Sequence, residues 1–224
     1  VKVGQTVAVR EGFGEMNVHS SVSGTVTAVK KVWHASGKMV EALEIKNDFL
    51  NTPDDSIKPN KSIDSLTRED LINLMKEAGL TGLGGAGFPT YVKYITKVKI
   101  DTVIINAVEC EPYLTCDYSF MLKYPEKLLK GLKYLIKAAD ANKGVIVYKN
   151  YNKEIKAALE KNLRSYHNIE LLEVKDVYPA GWEKYIIERV PEKPMTDFQV
   201  KSESSSTTRQ QPLSLPMWSN IIFL

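Results

Sequence analysis

Three short apolar runs separated by two amphipathic helices constrain this chain more than any other feature. Residues 101–106 (DTVIIN), 144–148 (GVIVY) and 169–174 (IELLEV) are rich in β-branched side chains and too short for buried helices, so they read as strands. Between the first two, Pro125 opens a helix that sets Leu128, Leu129, Leu132, Leu135, Ile136 and Ala139 on one face. Between the last two, residues 152–163 turn Ile155, Ala158, Leu159 and Leu163 inward. Strand, helix, strand, helix, strand predicts an α/β fold, a parallel three-layer sheet with right-handed crossovers. Ligands of such sheets bind beyond the carboxyl ends of the strands. Asn106, Glu109 and Glu111 follow the first strand and are candidate binding residues.

A glycine-rich loop lies just upstream. Gly82, Gly84, Gly85 and Gly87 crowd four glycines into six residues, which lets backbone N–H groups approach a flat or phosphorylated ligand. The spacing spells G-x-G-x-x-G, but a dinucleotide fingerprint follows a strand and opens a helix. Here the preceding residues 67–78 are helical: Thr67 and Asp70 form a capping box, Leu71, Leu74, Met75 and Ala78 make a stripe, and Gly79 ends it. Phe88-Pro89 follows, and proline disfavours helix in the residue before it. The standard dinucleotide reading is therefore set aside; a plain loop is the alternative.

GLGGAGFPTYVKY followed by INAVECEPYLTCD resembles the C-subunit family of the Rnf electron-transport complexes and the related electron-transfer proteins of proline reductase. The same residues are more distantly similar to the NADH- and FMN-binding subunit of respiratory complex I. The resemblance implies a Rossmann-like NADH/FMN-binding sheet in which Gly82, Gly84, Gly85, Ala86, Gly87 and Phe88 line flavin and nucleotide. It gives Lys93 a charge for flavin or phosphate and Asn106 a hydrogen bond to the flavin. Glu109 and Glu111 orient nicotinamide and ribose, with Glu109 biasing the site between neutral NADH and cationic NAD⁺. A Y-P-x-G-x-E-K segment implies that Tyr178, Gly181 and Glu183 return to the nucleotide. FMN and NAD(H) are the implied cofactors, with FMN carrying the hydride chemistry. The 4Fe–4S clusters of the family find no cysteine-rich ligand run here, so electrons pass to iron–sulfur partners elsewhere in the complex.

Residues 1–50 alternate around turn glycines, as in VKVGQTVAV and VHSSVSGTV, and resemble the small lipoyl-like β barrel that precedes the flavin domain in the Rnf family. No lysine stands in the setting of a lipoyl lysine, so the barrel is expected to be unmodified. Residues 51–65, rich in Asn, Asp, Ser, Pro and Lys, read as a linker. Residues 66–190 then form the α/β domain. Residues 191–224 lose periodicity, and the serine-rich 202–208 stretch reads as disordered; the family's second flavin half does not follow.

A net charge of +3 without a basic, aromatic-interleaved run gives no case for nucleic acid. No apolar run approaches the ~20 residues of a membrane span. The resemblance implies a cytoplasmic setting, peripheral at the inner face of the membrane through partner proteins of the complex. Cys110 and Cys116 fit a reducing compartment and two neutral thiols rather than a metal site, and His19 and His34 read as structural or exposed. The rival reading is a non-catalytic scaffold with an incomplete flavin site.

Overall fold

The computed structural model describes residues 1–34, 36–57, 62–82, 87–109, 113–190 and 221–223. The chain divides into two compact units: residues 1–66 with 73–80, and residues 67–72 with 81–224.

In the first unit β1 (Thr6–Arg10) pairs antiparallel with β2 (Met16–His19), and β3 (Gly24–Trp33) with β4 (Met39–Asn47). The strands form two separate two-stranded sheets, and no pairing among the described residues closes them into the expected barrel. Polar side chains tie the ends. The Ser23 hydroxyl donates to Asp48 Oδ1 at 2.6 Å and accepts from the Thr52 N–H at 3.0 Å. His19 is structural, as its sequence setting suggested: Nδ1 lies 2.8 Å from the Gly4 carbonyl oxygen and Nε2 2.7 Å from that of Glu77.

The predicted linker needs correction in its first half. Val3 bridges Pro53, and the Asp54 N–H donates to the Val3 carbonyl at 2.9 Å. Backbone groups that close a sheet edge have ladder partners to satisfy, whatever the Asn/Asp/Pro composition around them. Residues 58–61 lie outside the described residues.

Helix α1 (Arg68–Glu77) carries the expected capping box: the Thr67 N–H donates to Asp70 Oδ2 at 2.8 Å and the Asp70 N–H to Thr67 Oγ1 at 3.1 Å. In the second unit come β5 (Thr102–Asn106), α2 (Cys116–Lys123), α3 (Pro125–Ala139), β6 (Lys143–Lys149), α4 (Lys153–Leu163), β7 (Ile169–Val174), α5 (Glu183–Ile187) and β8 (Ile221–Phe223). Strands run β7-β6-β5-β8 across the sheet, the first three parallel and β8 antiparallel to β5.

Both faces of the sheet are covered. On one, Ile104, Val145, Val147 and Val174 pack with Ile186 and Ile187 of α5. On the other, α3 sits so close to β6 that a Cβ at Gly144 would lie 2.8–2.9 Å from Ile136 and Leu132 side chains. This is the three-layer arrangement that the strand and helix periods predicted.

The tail differs from its expected disorder at its end. Residues 221–223 pair with Val103, Ile104 and Ile105. An apolar I-I-F run has strand propensity, and β5 otherwise offers an open row of backbone donors and acceptors. Residues 191–220 and 224, including the serine-rich stretch, lie outside the described residues.

Gly24 has φ +152°, and a Cβ there would stand 2.0 Å from the Lys46 carbonyl oxygen. Gly24→Ala must therefore push the β3–β4 hairpin apart. A loss above about 2 kcal/mol is expected in chemical denaturation followed by circular dichroism; a midpoint unchanged from the parent would show that the hairpin yields freely.

Candidate functional site

Between Thr102 and Asn106 strand β5 is apolar, and its last residue is the centre of the site. Asn106 is 6% exposed. Its amide Nδ2–H donates to the Gly181 carbonyl at 2.8 Å, and its Oδ1 accepts from the Val108 N–H at 3.2 Å. One side chain thus turns the chain at the strand end and holds the loop before α5, 75 residues away in sequence. A buried amide left with unmatched groups costs about 1–3 kcal/mol, which explains why an Asn ends this otherwise apolar strand.

Lys93 lies in a short 3₁₀ helix, Thr90–Tyr94, whose Thr90, Tyr91 and Tyr94 are buried. That turn is held from outside by Arg68, whose guanidinium donates to the carbonyls of Tyr94 at 2.7 Å and Ala138 at 3.0 Å. Burial pushes the Lys93 ammonium below its ordinary range, while the Glu183 carboxylate at the start of α5 pulls the other way. Asn106 and Gly181 thus meet beyond the carboxyl end of β5, and Lys93 feels the charge of Glu183, two residues past Gly181.

The glycine loop is closed at its base. The Gly82 N–H donates to the Phe88 carbonyl at 3.0 Å, and Thr81 bridges Pro89. Gly87 has φ +63°, and no atom of the described residues lies within 4 Å of where its Cβ would be; this left-handed backbone favours glycine. Phe88 is partly exposed at 39%. Gly84, Gly85 and Ala86 lie outside the described residues, as do Cys110 and Glu111. The alternation expected for Glu109, Cys110 and Glu111 falls there too. Tyr178 is 88% exposed.

Glu109 has a role that its sequence setting did not suggest. Its Oε1 accepts from the Asp117 N–H and its Oε2 from the Tyr118 N–H, both at 3.1 Å. The carboxylate caps helix α2 from outside it, where the adjoining Thr115 makes no side-chain cap. A charge-assisted cap at the positive end of a helix is favourable. Cys116 Sγ lies 3.7 Å from Glu109 Oε1 and 3.9 Å from Asp117 Oδ1. Ligand atoms of these three residues lie within 4.8 Å of one another, but both Glu109 oxygens are already engaged by backbone. Burial, then the carboxylates of Asp117 and Glu109, push the Cys116 thiol above its usual range, which favours its neutral form.

Sequence reasoning missed three parts: α2 itself, the Arg68 clamp, and the Glu109 cap. Only Glu109 offers a signal, an acid eight and nine residues ahead of the N–H groups it accepts from, too far for a standard capping box. Beside the cap lies an open cleft of ≈ 470 Å³ with Glu109, Tyr113, Tyr118, Lys149, Tyr151 and Glu154 on its walls.

Residues 75–208 match the model of the Nuo51 FMN-binding domain, more than half of the chain. The chain belongs to that family. Residues 1–50 match the RnfC barrel sandwich hybrid domain, so the small β region fits that module by sequence. The C subunit of the Na⁺-translocating ferredoxin:NAD⁺ oxidoreductase complex of Acetobacterium woodii is 39% identical over 189 residues, covering 84% of this chain and 43% of that protein. Its counterpart in the proton-translocating complex of Clostridium ljungdahlii is 29% identical, covering 84% and 41%. The C subunit of an ion-translocating oxidoreductase complex of Haemophilus influenzae is 32% identical, covering 82% and 29%. The chain thus spans less than half the length of these relatives. Among the described residues no helix is long and apolar enough to cross a membrane.

Removing either polar anchor separates its structural work from any ligand work. Asn106→Ala is expected to lower unfolding free energy by about 1–3 kcal/mol, because the Gly181 carbonyl and Val108 N–H lose their partner. Glu109→Ala is expected to cost ~1 kcal/mol through the lost cap of α2. Urea titrations of both variants check this; parent-like midpoints would show that water replaces the two bridges.

Proposed function

We propose that this chain is an electron-transfer flavoprotein module that accepts a hydride from NADH onto FMN and delivers electrons to iron–sulfur partners of an Rnf-like or proline reductase-linked complex. The carrying observation is the Asn106–Gly181 bridge at the carboxyl end of β5, with the half-buried Lys93 in the field of the nearby Glu183, in a chain of the FMN-binding family.

The donor set fits such a group. Lys93 brings a cation held partly out of water, where an anionic phosphate or a flavin carbonyl is a better partner than solvent. Gly87, left-handed and with no atom of the described residues within 4 Å of a Cβ there, suits a wall on which a flat ring lies close to backbone. FMN, when bound, supplies the exchange between two-electron hydride acceptance and one-electron release. The protein's share is placement: the Asn106 bridge sets the Gly181 loop against the strand end, and Arg68 fixes the turn that carries Lys93. Gly82, Gly84, Gly85, Ala86, Gly87 and Phe88 are assigned to the flavin and nucleotide wall, and Tyr178 and Glu183 to the nucleotide. Glu111 is assigned to the nicotinamide side. Glu109 serves that side through α2, since its oxygens are taken. Partners, NADH preference and a peripheral cytoplasmic setting follow from the same reading.

One observation favours a second reading. Both Asn106 polar groups and both Glu109 oxygens satisfy backbone, which is what a scaffold that keeps the fold without the cofactor would also need.

Titration of the purified chain with FMN, followed by flavin fluorescence, separates the two. Saturable binding is expected, and anaerobic NADH should then bleach the flavin's visible band; absence of binding in a folded chain would put the scaffold reading first. Lys93→Met should weaken FMN at least about tenfold, roughly 1.4 kcal/mol, while circular dichroism shows the variant still folded.

A further inference from the structure

Helix α3 and the turn before it carry a charge pattern that the rest of the chain lacks. Residues 123–137 hold five lysines and one glutamate, a net of +4, while the whole chain has a net of +3. Everything outside this stretch is therefore slightly acidic, at −1. The lysines are not spread around the helix. At about 100° per residue, Lys127, Lys130, Lys133 and Lys137 fall within an arc of ~120°. That arc lies opposite the buried Leu128, Leu132, Leu135, Ile136 and Ala139.

Three of the cations are exposed and carry no counter-charge. Among the described residues no carboxylate stands within ion-pair distance of Lys123, Lys127 or Lys130. Their ammonium groups lie over tyrosine rings instead: Lys123 at 5.3 Å and Lys127 at 4.6 Å from the Tyr124 ring centre, and Lys130 at 5.9 Å from that of Tyr134. A ring face holds an ammonium without neutralising it, so the charge remains available. Three lysines elsewhere in the domain are paired: Lys149 with Asp176 at 2.7 Å, Lys156 with Glu173 at 2.7 Å, Lys143 with Glu170 at 3.5 Å. Like charges three and four residues apart destabilise a helix, so stability alone would have interleaved acids on α3 as it did on α4.

We propose that the Lys123–Lys127–Lys130 face is a docking surface for an acidic protein partner. A lipid-binding helix sets large apolar side chains among its lysines to sink into the bilayer. The exposed face of α3 has only the two tyrosine rings, each covered by lysine. Attraction here is electrostatic, suited to a weak, fast and salt-sensitive protein encounter. The inference uses charge placement alone and stands whether or not the chain holds a flavin.

The test titrates labelled poly-L-glutamate, as a probe of an acidic protein surface, into the full chain by fluorescence anisotropy, with phosphatidylglycerol vesicles in parallel. The probe is expected to bind at low ionic strength and to weaken steeply with added salt. Lys123→Glu/Lys127→Glu/Lys130→Glu should weaken it at least about tenfold, whereas Lys153→Glu/Lys161→Glu/Arg164→Glu on and just after α4 should change it less than about twofold. The neutral Lys123→Gln/Lys127→Gln/Lys130→Gln variant should act in the same direction and serves if charge reversal disturbs folding by circular dichroism. Equal losses from the α3 and α4 variants would overturn the proposal in favour of diffuse charge. Vesicle binding that depends on the α3 lysines, without binding of poly-L-glutamate, would overturn it in favour of a membrane surface. Failure of the parent chain to bind the probe would overturn it outright.

Discussion

Strand β5 is buried on both faces and hydrogen-bonded along both edges, by β6 on one side and β8 on the other. A strand in that position can carry polar groups only at its end, and each of them must find a partner there. Asn106 meets that demand by bonding forward to Val108 and across to Gly181. This one amide ties the Gly181 carbonyl to the strand end, while Ile186 and Ile187 seat α5 on the sheet.

The charges around this centre divide by how much water they keep. Lys93 is held partly out of solvent and loses basicity for it, with Glu183 pulling the other way. Glu109 is anchored by two backbone N–H groups at the head of α2, and Cys116 beside it is kept as a neutral thiol. The lysines of α3 are the opposite case, exposed on a helix whose far face is the core of the sheet layer.

Much of the fold was legible because its signals are local. The period-3.6 stripe from Pro125 to Ala139 gave α3 with its observed bounds, and β7 matched residue for residue. The Thr67–Asp70 capping box was visible as a spacing and is present as two hydrogen bonds. Helix α2 was not legible: its apolar stripe is weak, its first turn has no side-chain cap of its own, and the acid that caps it lies seven residues before its first residue. The linker reading failed in its first half for a related reason, since composition reports turn propensity and not which backbone groups a neighbouring strand requires.

The sequence by itself determined the layer order of the α/β unit, its helix stripes, the family to which the glycine loop and the strand-end residues belong, and the candidate residues around them. Periodicity and motif spacing are properties of neighbours along the chain, so they survive without a structure. Tertiary structure alone decided what those residues touch. It placed Asn106 on Gly181, set Glu109 on α2, brought Arg68 to the turn that carries Lys93, and paired residues 221–223 with β5. Each of these joins distant or differently phased segments. Which partner wins there is set by burial and by the need to satisfy every backbone group, and neither is written in any local stretch.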